Sequence, residues 1–146
     1  MDKQKDSFCV QVSNAYLCPR RKVMETEKKT EIGREGEREA RTYLEKREYN
    51  ILHTNWRWHH YELDIVAEKE GELVVVEVKT RDYESLLLPE EAVDRKKIRR
   101  IVAAADAYVR HYNLDLPVRF DIVTVIRQEG RMTLDHIEDA FMAPCN

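Results

Sequence analysis

Between Glu62 and Lys79 the chain reads Glu-Leu-Asp-Ile-Val-Ala, a polar tip at Lys69-Glu70-Gly71, and then Leu-Val-Val-Val-Glu-Val-Lys. Two β-rich apolar runs around a short glycine-bearing tip predict an antiparallel hairpin. Strand side chains alternate between faces, so a period of two puts Glu62 and Asp64 on one face of the first strand and Leu63 and Ile65 on the other. Glu77 and Lys79 likewise share a face of the second strand. That strand is apolar on both faces until Glu77, which predicts a place inside a sheet. Charges at the end of such a strand are costly to desolvate unless they are paired or hold a metal.

On either side the period lengthens. From Thr30, a suitable N-cap, the pattern predicts a helix to about Arg47. Its early glycines, Gly33 and Gly36, weaken it by roughly 1 kcal/mol each relative to Ala, so something must favour them. On a helical wheel Gly33, Ala40 and Leu44 fall within about 60° of Glu37. Glu37 is thus the acid on the inward stripe, with small residues that let the helix approach the sheet; the plainer alternative leaves it at the stripe's edge, reaching water. Ile51 to Trp56 reads as a first strand. A second helix is predicted from an Asp94 cap, with Ile98, Ile101, Val102, Ala105, Tyr108, Val109 and Tyr112 at helical spacing. Arg119 to Ile126 reads as a returning strand, and Gln128-Glu129-Gly130 turns into a short one at Met132 to His136. The order of elements is αβββαβ with a short final strand, an α/β protein with a mixed sheet. Residues 1–29 lack a sustained period and read as a mobile leader, 30–137 as one domain, and 138–146 as a patternless tail.

Composition narrows the class. The chain has 146 residues, enough for one domain with a real core, and a net charge of −3 on 36% charged residues. No apolar run approaches the roughly 18 residues of a membrane span, and Phe8 to Cys18 is too broken by polar residues for a cleaved signal. A cytoplasmic protein with no membrane partner is expected. Cys9, Cys18 and Cys145 are spaced for neither a disulfide framework nor a zinc site. His59-His60 invites a zinc reading, but adjacent strand residues face opposite ways. The overall charge does not announce a nucleic-acid binder, yet Arg95, Lys96, Lys97, Arg99 and Arg100 crowd the first turns of the second helix. A helix N-terminus disfavours cations. A phosphate backbone reverses that penalty, so these residues are candidate nucleic-acid contacts; a solvated face kept charged for solubility is the plain alternative.

The acids suggest a metal. Mg²⁺ (or Mn²⁺) takes oxygen ligands and keeps several waters, so one or two carboxylates suffice, and Asp64 and Glu77 are placed to supply them. Such a cation polarises a phosphodiester oxygen and lowers the pKa of a bound water, while Lys79 can orient that water or offset developing charge. Glu62 reads as structural. The polar loop after Lys79, with Leu86-Leu87-Leu88-Pro89, is expected to be a substrate-facing flap.

Gly33 to Ala40 (GREGEREA), Asn55-Trp56-Arg57, Glu62 to Ala67 (ELDIVA), Val76 to Arg81 (VEVKTR), Pro89 to Val93 (PEEAV) and Arg119 to Val123 (RFDIV) together resemble the successive motifs of the YraN-like proteins. The resemblance covers about residues 30 to 126. It implies a restriction-endonuclease-like fold, similar to Holliday junction resolvases and the PD-(D/E)xK nucleases. It also implies Glu37, Asp64, Glu77 and Lys79 as the active-site set, with the metal on Asp64 and Glu77. Tyr61 departs from the pattern, standing where that family has glycine, and a side chain there is expected to narrow the approach to the site. The expected function is metal-dependent hydrolysis of phosphodiester bonds in DNA, structured or single-stranded, with DNA ahead of RNA as the partner and a homodimer suited to cutting two strands. A non-catalytic module that binds nucleic acid or a partner protein is the alternative.

Overall fold

A computed structural model of the chain describes residues 19–84 and 94–144, with side chains described from residue 30 onward. The three cysteines, residues 1–18 of the expected leader, and the Leu86 to Pro89 part of the expected flap lie outside the described residues. The chain divides into two compact units, residues 1–31 and 32–146. The described part of the first is helical backbone, and the sheet and its cores belong to the second.

Helix α1 spans Pro19–Glu45, so Thr30 lies within it and does not cap it. Residues 20–29 are mostly Arg, Lys, Glu and Met, good helix formers behind a proline at the first position. They carry no apolar stripe, so the hydrophobic period gives no sign of them. At the other end Glu48 takes a left-handed φ of 65°. Tyr49 N–H donates to the Leu44 carbonyl at 3.1 Å and Glu48 N–H to the Glu45 carbonyl at 3.1 Å. That is a Schellman stop with glutamate in the position glycine usually takes.

Among the described residues the sheet has five strands in the order β1-β2-β3-β4-β5: β1 Asn50–Trp58, β2 Tyr61–Lys69, β3 Glu72–Asp82, β4 Val118–Gln128 and β5 Arg131–Ile137. Only β3 and β4 run parallel. A parallel pair needs a long crossover, and helix α2, Arg95–His111, supplies it. Asp94 caps α2 as expected, accepting from Lys96 N–H at 3.0 Å. The β2–β3 hairpin closes on Glu70 (φ 52°) and Gly71 (φ 81°), the two left-handed residues that a tight hairpin turn requires. His59-His60 proves to be the turn between β1 and β2, with Trp58 and Tyr61 as the last pair, and not a stretch of strand. Thr80, Arg81 and Asp82 still belong to β3, so the loop expected after Lys79 starts later.

Each face of the sheet has its own core. Leu73 and Val75 pack with Ile101, Ala104, Ala105 and Tyr108 of α2, while Val74 and Val76 pack with Ala40 and Leu44 of α1. β3 is therefore apolar on both faces, as its sequence predicts. Burial contributes roughly 1.5–3 kcal/mol for each such side chain.

The stretch after Ile137 returns to the sheet. Asp139 N–H donates to Asp121 Oδ1 at 3.0 Å, Ala140 N–H to the Phe120 carbonyl at 2.8 Å, and Phe141 stacks on Phe120 with centroids 5.1 Å apart. Asp121 itself is fully buried. Arg119 grips it with two hydrogen bonds of 2.9 and 3.0 Å, and His136 Nε2 lies 2.8 Å from Oδ2. These bonds hold the carboxyl below the usual range although burial alone would raise it.

Candidate active site

The site begins where a ladder stops. β2 and β3 pair from Lys69–Glu72 to Ile65–Val76 and no further. Beyond that point Val78 N–H donates to Asp64 Oδ2 at 2.9 Å, so a side chain takes over the bond that the neighbouring backbone would have made. β1 is irregular nearby: Asn55, in register with Asp64, has a φ of 51°, and the register shifts further along between Ile51 and His53. The period-two expectation fails here. Leu63 joins the α2 core and Ile65 the α1 core, although strict alternation would put both on one face. The interruption at Asp64 is the physical reason, and it leaves this carboxylate between the strands.

Glu77 arrives from β3, near enough for its charge to act on Asp64. Burial first, and then the charge of Glu77, push Asp64 up to about 7. Glu37 arrives from α1. The preceding residue explains how: a Cβ at Gly36 would fall on the Thr80 hydroxyl, so only glycine lets α1 sit this close to the end of β3. The close approach belongs to Gly36, whereas Gly33 meets nothing within 4 Å. Asn55 Nδ2 donates to Glu37 Oε2 at 2.8 Å, which ties the helix acid to β1. Part burial, with Asp64 and Glu62 nearby, raises the Glu37 pKa against that bond. The structure thus brings Glu37, Asp64 and Glu77 together.

The lysines divide differently from expectation. Lys79 follows Glu77 by two residues on β3, is partly buried, and makes no hydrogen bond or ion pair with the described residues. Lys97 does: its Nζ lies 3.1 Å from Glu77 Oε1, pairing a half-exposed cation with a nearly buried acid. Burial works against the Lys97 charge, but Glu77, Asp64 and Glu62 together raise its pKa. Expected among the helix cations as a phosphate contact, Lys97 belongs to the acidic site itself. Arg99 and Arg100 line a groove of about 560 Å³ with His60, Tyr61, Glu62 and Lys97. Arg95 and Lys96 stand exposed in the first turn of α2. Tyr61 is a wall of this groove, and Glu62 pairs with Arg57 at 2.9 Å. Pattern reading alone does not assign Asn55 to the site, and it assigns Lys97 to phosphate contacts and not to the acids. An Asn inside a β-rich run is a signal for a left-handed break; nothing local marks Lys97 off from its neighbours.

A helix-flanked mixed sheet, with acids gathered where its central hairpin opens, defines an α/β protein of the restriction-endonuclease-like class. Within that class the chain belongs to the family described as "Uncharacterised protein family UPF0102", which matches residues 36–125 and is the YraN-like family that the motifs resemble. A UPF0102 protein of Parabacteroides distasonis is 70% identical over 118 residues, 81% of this chain and 98% of that protein. One from Bacteroides thetaiotaomicron is 56% identical over 114 residues, 78% and 94% of the two chains. One from Flavobacterium psychrophilum is 41% identical over 111 residues, 76% and 93%. The matched family segment includes Glu37, Asp64, Glu77, Lys79 and Lys97.

Proposed function

We propose that the protein is a metal-dependent nuclease that hydrolyses phosphodiester bonds of DNA, structured or single-stranded. One observation carries the reading: Glu37, Asp64 and Glu77, from a helix and two strands, converge where the β2–β3 ladder opens, with Lys97 on Glu77 and Lys79 beside it. Structural need alone gives no reason to gather carboxylates that hinder one another's ionisation, and functional sites do so routinely.

The donor set is all oxygen, which fits Mg²⁺ or Mn²⁺. Among the described residues no group of three His, Cys, Asp or Glu stands ready to hold a metal, and a hard cation that keeps its waters needs only the Asp64 and Glu77 carboxylates. When bound, the cation supplies polarisation of a phosphodiester oxygen and a water of lowered pKa. The chain's own groups do the rest. Val78 N–H fixes one Asp64 oxygen, Lys79 orients the attacking water or offsets charge developing on the phosphate, and Glu37, steadied by Asn55, supports the water shell. Lys97 balances Glu77 and faces the groove, from which Arg99 and Arg100 reach backbone phosphates, with Arg95 and Lys96 at the helix N-terminus. Action on DNA implies a cytoplasmic protein, and a homodimer would serve to cut two strands.

The second reading, a module that binds nucleic acid without cutting it, draws on the Lys97–Glu77 pair, which already balances one of the acids. Incubation with Mg²⁺ or Mn²⁺ and a panel of branched, single-stranded and duplex DNAs separates the two. Cleavage by the wild type, abolished in Asp64→Ala and in Lys79→Ala with the fold retained, is the expected result. Cleavage that persists in the double variant refutes the assignment, and binding in chelator with no cutting of any substrate favours the module.

A further inference from the structure

Next to the acidic site, the β1–β2 turn places rings at consecutive positions: Trp58, His59, His60 and Tyr61. The two tryptophans of the chain behave differently here. Trp56 is 7% exposed and meets Tyr108 edge to face in the core. Trp58 is 42% exposed, although its ring is steadied by His111 at 4.4 Å and His59 at 4.9 Å between centroids. A single exposed aromatic residue is ordinary on a soluble protein. This one differs in being held by imidazoles from the turn and from the end of α2, and in what adjoins it. The next rings along the turn, His60 and Tyr61, lie 4.2 Å apart and share a groove with Arg99 and Arg100 that reaches Glu62 and Lys97.

Rings and cations side by side suit one kind of nucleic acid. In a duplex the faces of the bases are already stacked on one another and only phosphates and base edges are offered. An unpaired strand offers base faces for stacking as well as phosphates for Arg and Lys. Tryptophan stacking is also indifferent to base identity, since every base has such a face.

We propose that the β1–β2 turn and α2 form a binding site for unpaired nucleotides of single-stranded DNA, in which Trp58 stacks on a base and Arg99 and Arg100 hold phosphates further along the same strand. The strand then leads along the groove towards Asp64 and Glu77. This direction of travel rests on the nuclease reading of that site; the binding itself does not.

The test uses the full chain in chelator, so that binding is read without cleavage. Labelled oligothymidine, a duplex and an oligouridine RNA are titrated, with fluorescence anisotropy and tryptophan emission as readouts. Single-stranded DNA is expected to bind more tightly than duplex and to quench the wild-type emission, because Trp58 is the accessible indole. Trp58→Ala should weaken binding of the single strand by about 5- to 150-fold while changing duplex binding by less than about twofold, and Trp58→Phe should keep most of the affinity. Arg100→Ala should weaken binding and reduce its salt dependence. Single-strand affinity unchanged in Trp58→Ala, or single-strand and duplex affinities lost in equal proportion, overturns the proposal. RNA bound more tightly than DNA overturns its assignment to DNA. A protein that binds in this way but cuts nothing leaves the site standing and refutes only the nuclease reading.

Discussion

Two aspartates show how differently the same side chain can be used. Asp121 is fully buried and completely satisfied by Arg119, His136 and the Asp139 N–H. Its folded pKa lies below the unfolded one, so its contribution to stability is complete above the ordinary carboxylate value of about 4 and is lost as pH falls from there through the lowered folded pKa. Asp121→Asn leaves Arg119 with a poorer partner, and a loss of about 3–5 kcal/mol in urea unfolding at pH 7 is expected. Asp64 is also largely buried, but it stands against another acid. Asp64→Asn removes a charge from beside Glu77 and keeps an oxygen for Val78 N–H. In chelator at pH 8 it is expected to match or exceed the wild type in Tm. A large loss on Asp64→Asn, or none on Asp121→Asn, would reverse these roles.

At the scale of elements, the contact between α1 and the end of β3 positions Glu37. Gly36→Ala puts a methyl group on the Thr80 side chain. Overpacking of this kind costs about 1–3 kcal/mol, against a gain of about 1 kcal/mol in helix propensity. A net loss of stability is expected, relieved in Gly36→Ala/Thr80→Ala; strictly additive effects in that cycle would mean that the two residues do not touch. The β2–β3 hairpin, α2 with its Asp94 cap, and β4 with its turn into β5 were all legible in the sequence, because apolar period and turn residues coincide there. The first half of α1 was not, since a polar helix has no apolar stripe. The slip at Asp64 was not either: period-two alternation assumes a regular strand, and Leu63 and Ile65 join different cores although β2 runs on through Asp64. Asp64 and Glu77 were visible because carboxylates in otherwise apolar runs stand out, and Glu37 because it shares its helical face with Gly33, Ala40 and Leu44. Lys97 was hidden among like neighbours, and only its 3.1 Å approach to Glu77 separates it from them.

For the whole molecule, a net charge of −3 conceals an internal arrangement of charge. Acids gather at the opened end of the hairpin and cations along the first turns of α2, with the groove of Tyr61, Arg99 and Arg100 between the rings of the turn and the carboxylates. No described helix is long and apolar enough to cross a membrane. The sheet and α1 bring the acids near one another, and what those acids hold decides the chemistry. Calorimetric titration of the wild type, Asp64→Ala and Glu77→Ala with Mn²⁺ and Mg²⁺ tests this most directly. A divalent cation should bind the wild type and be weakened by about tenfold or more in each variant. Equal affinity in all three proteins, or no binding to the wild type in the presence of DNA, would contradict it.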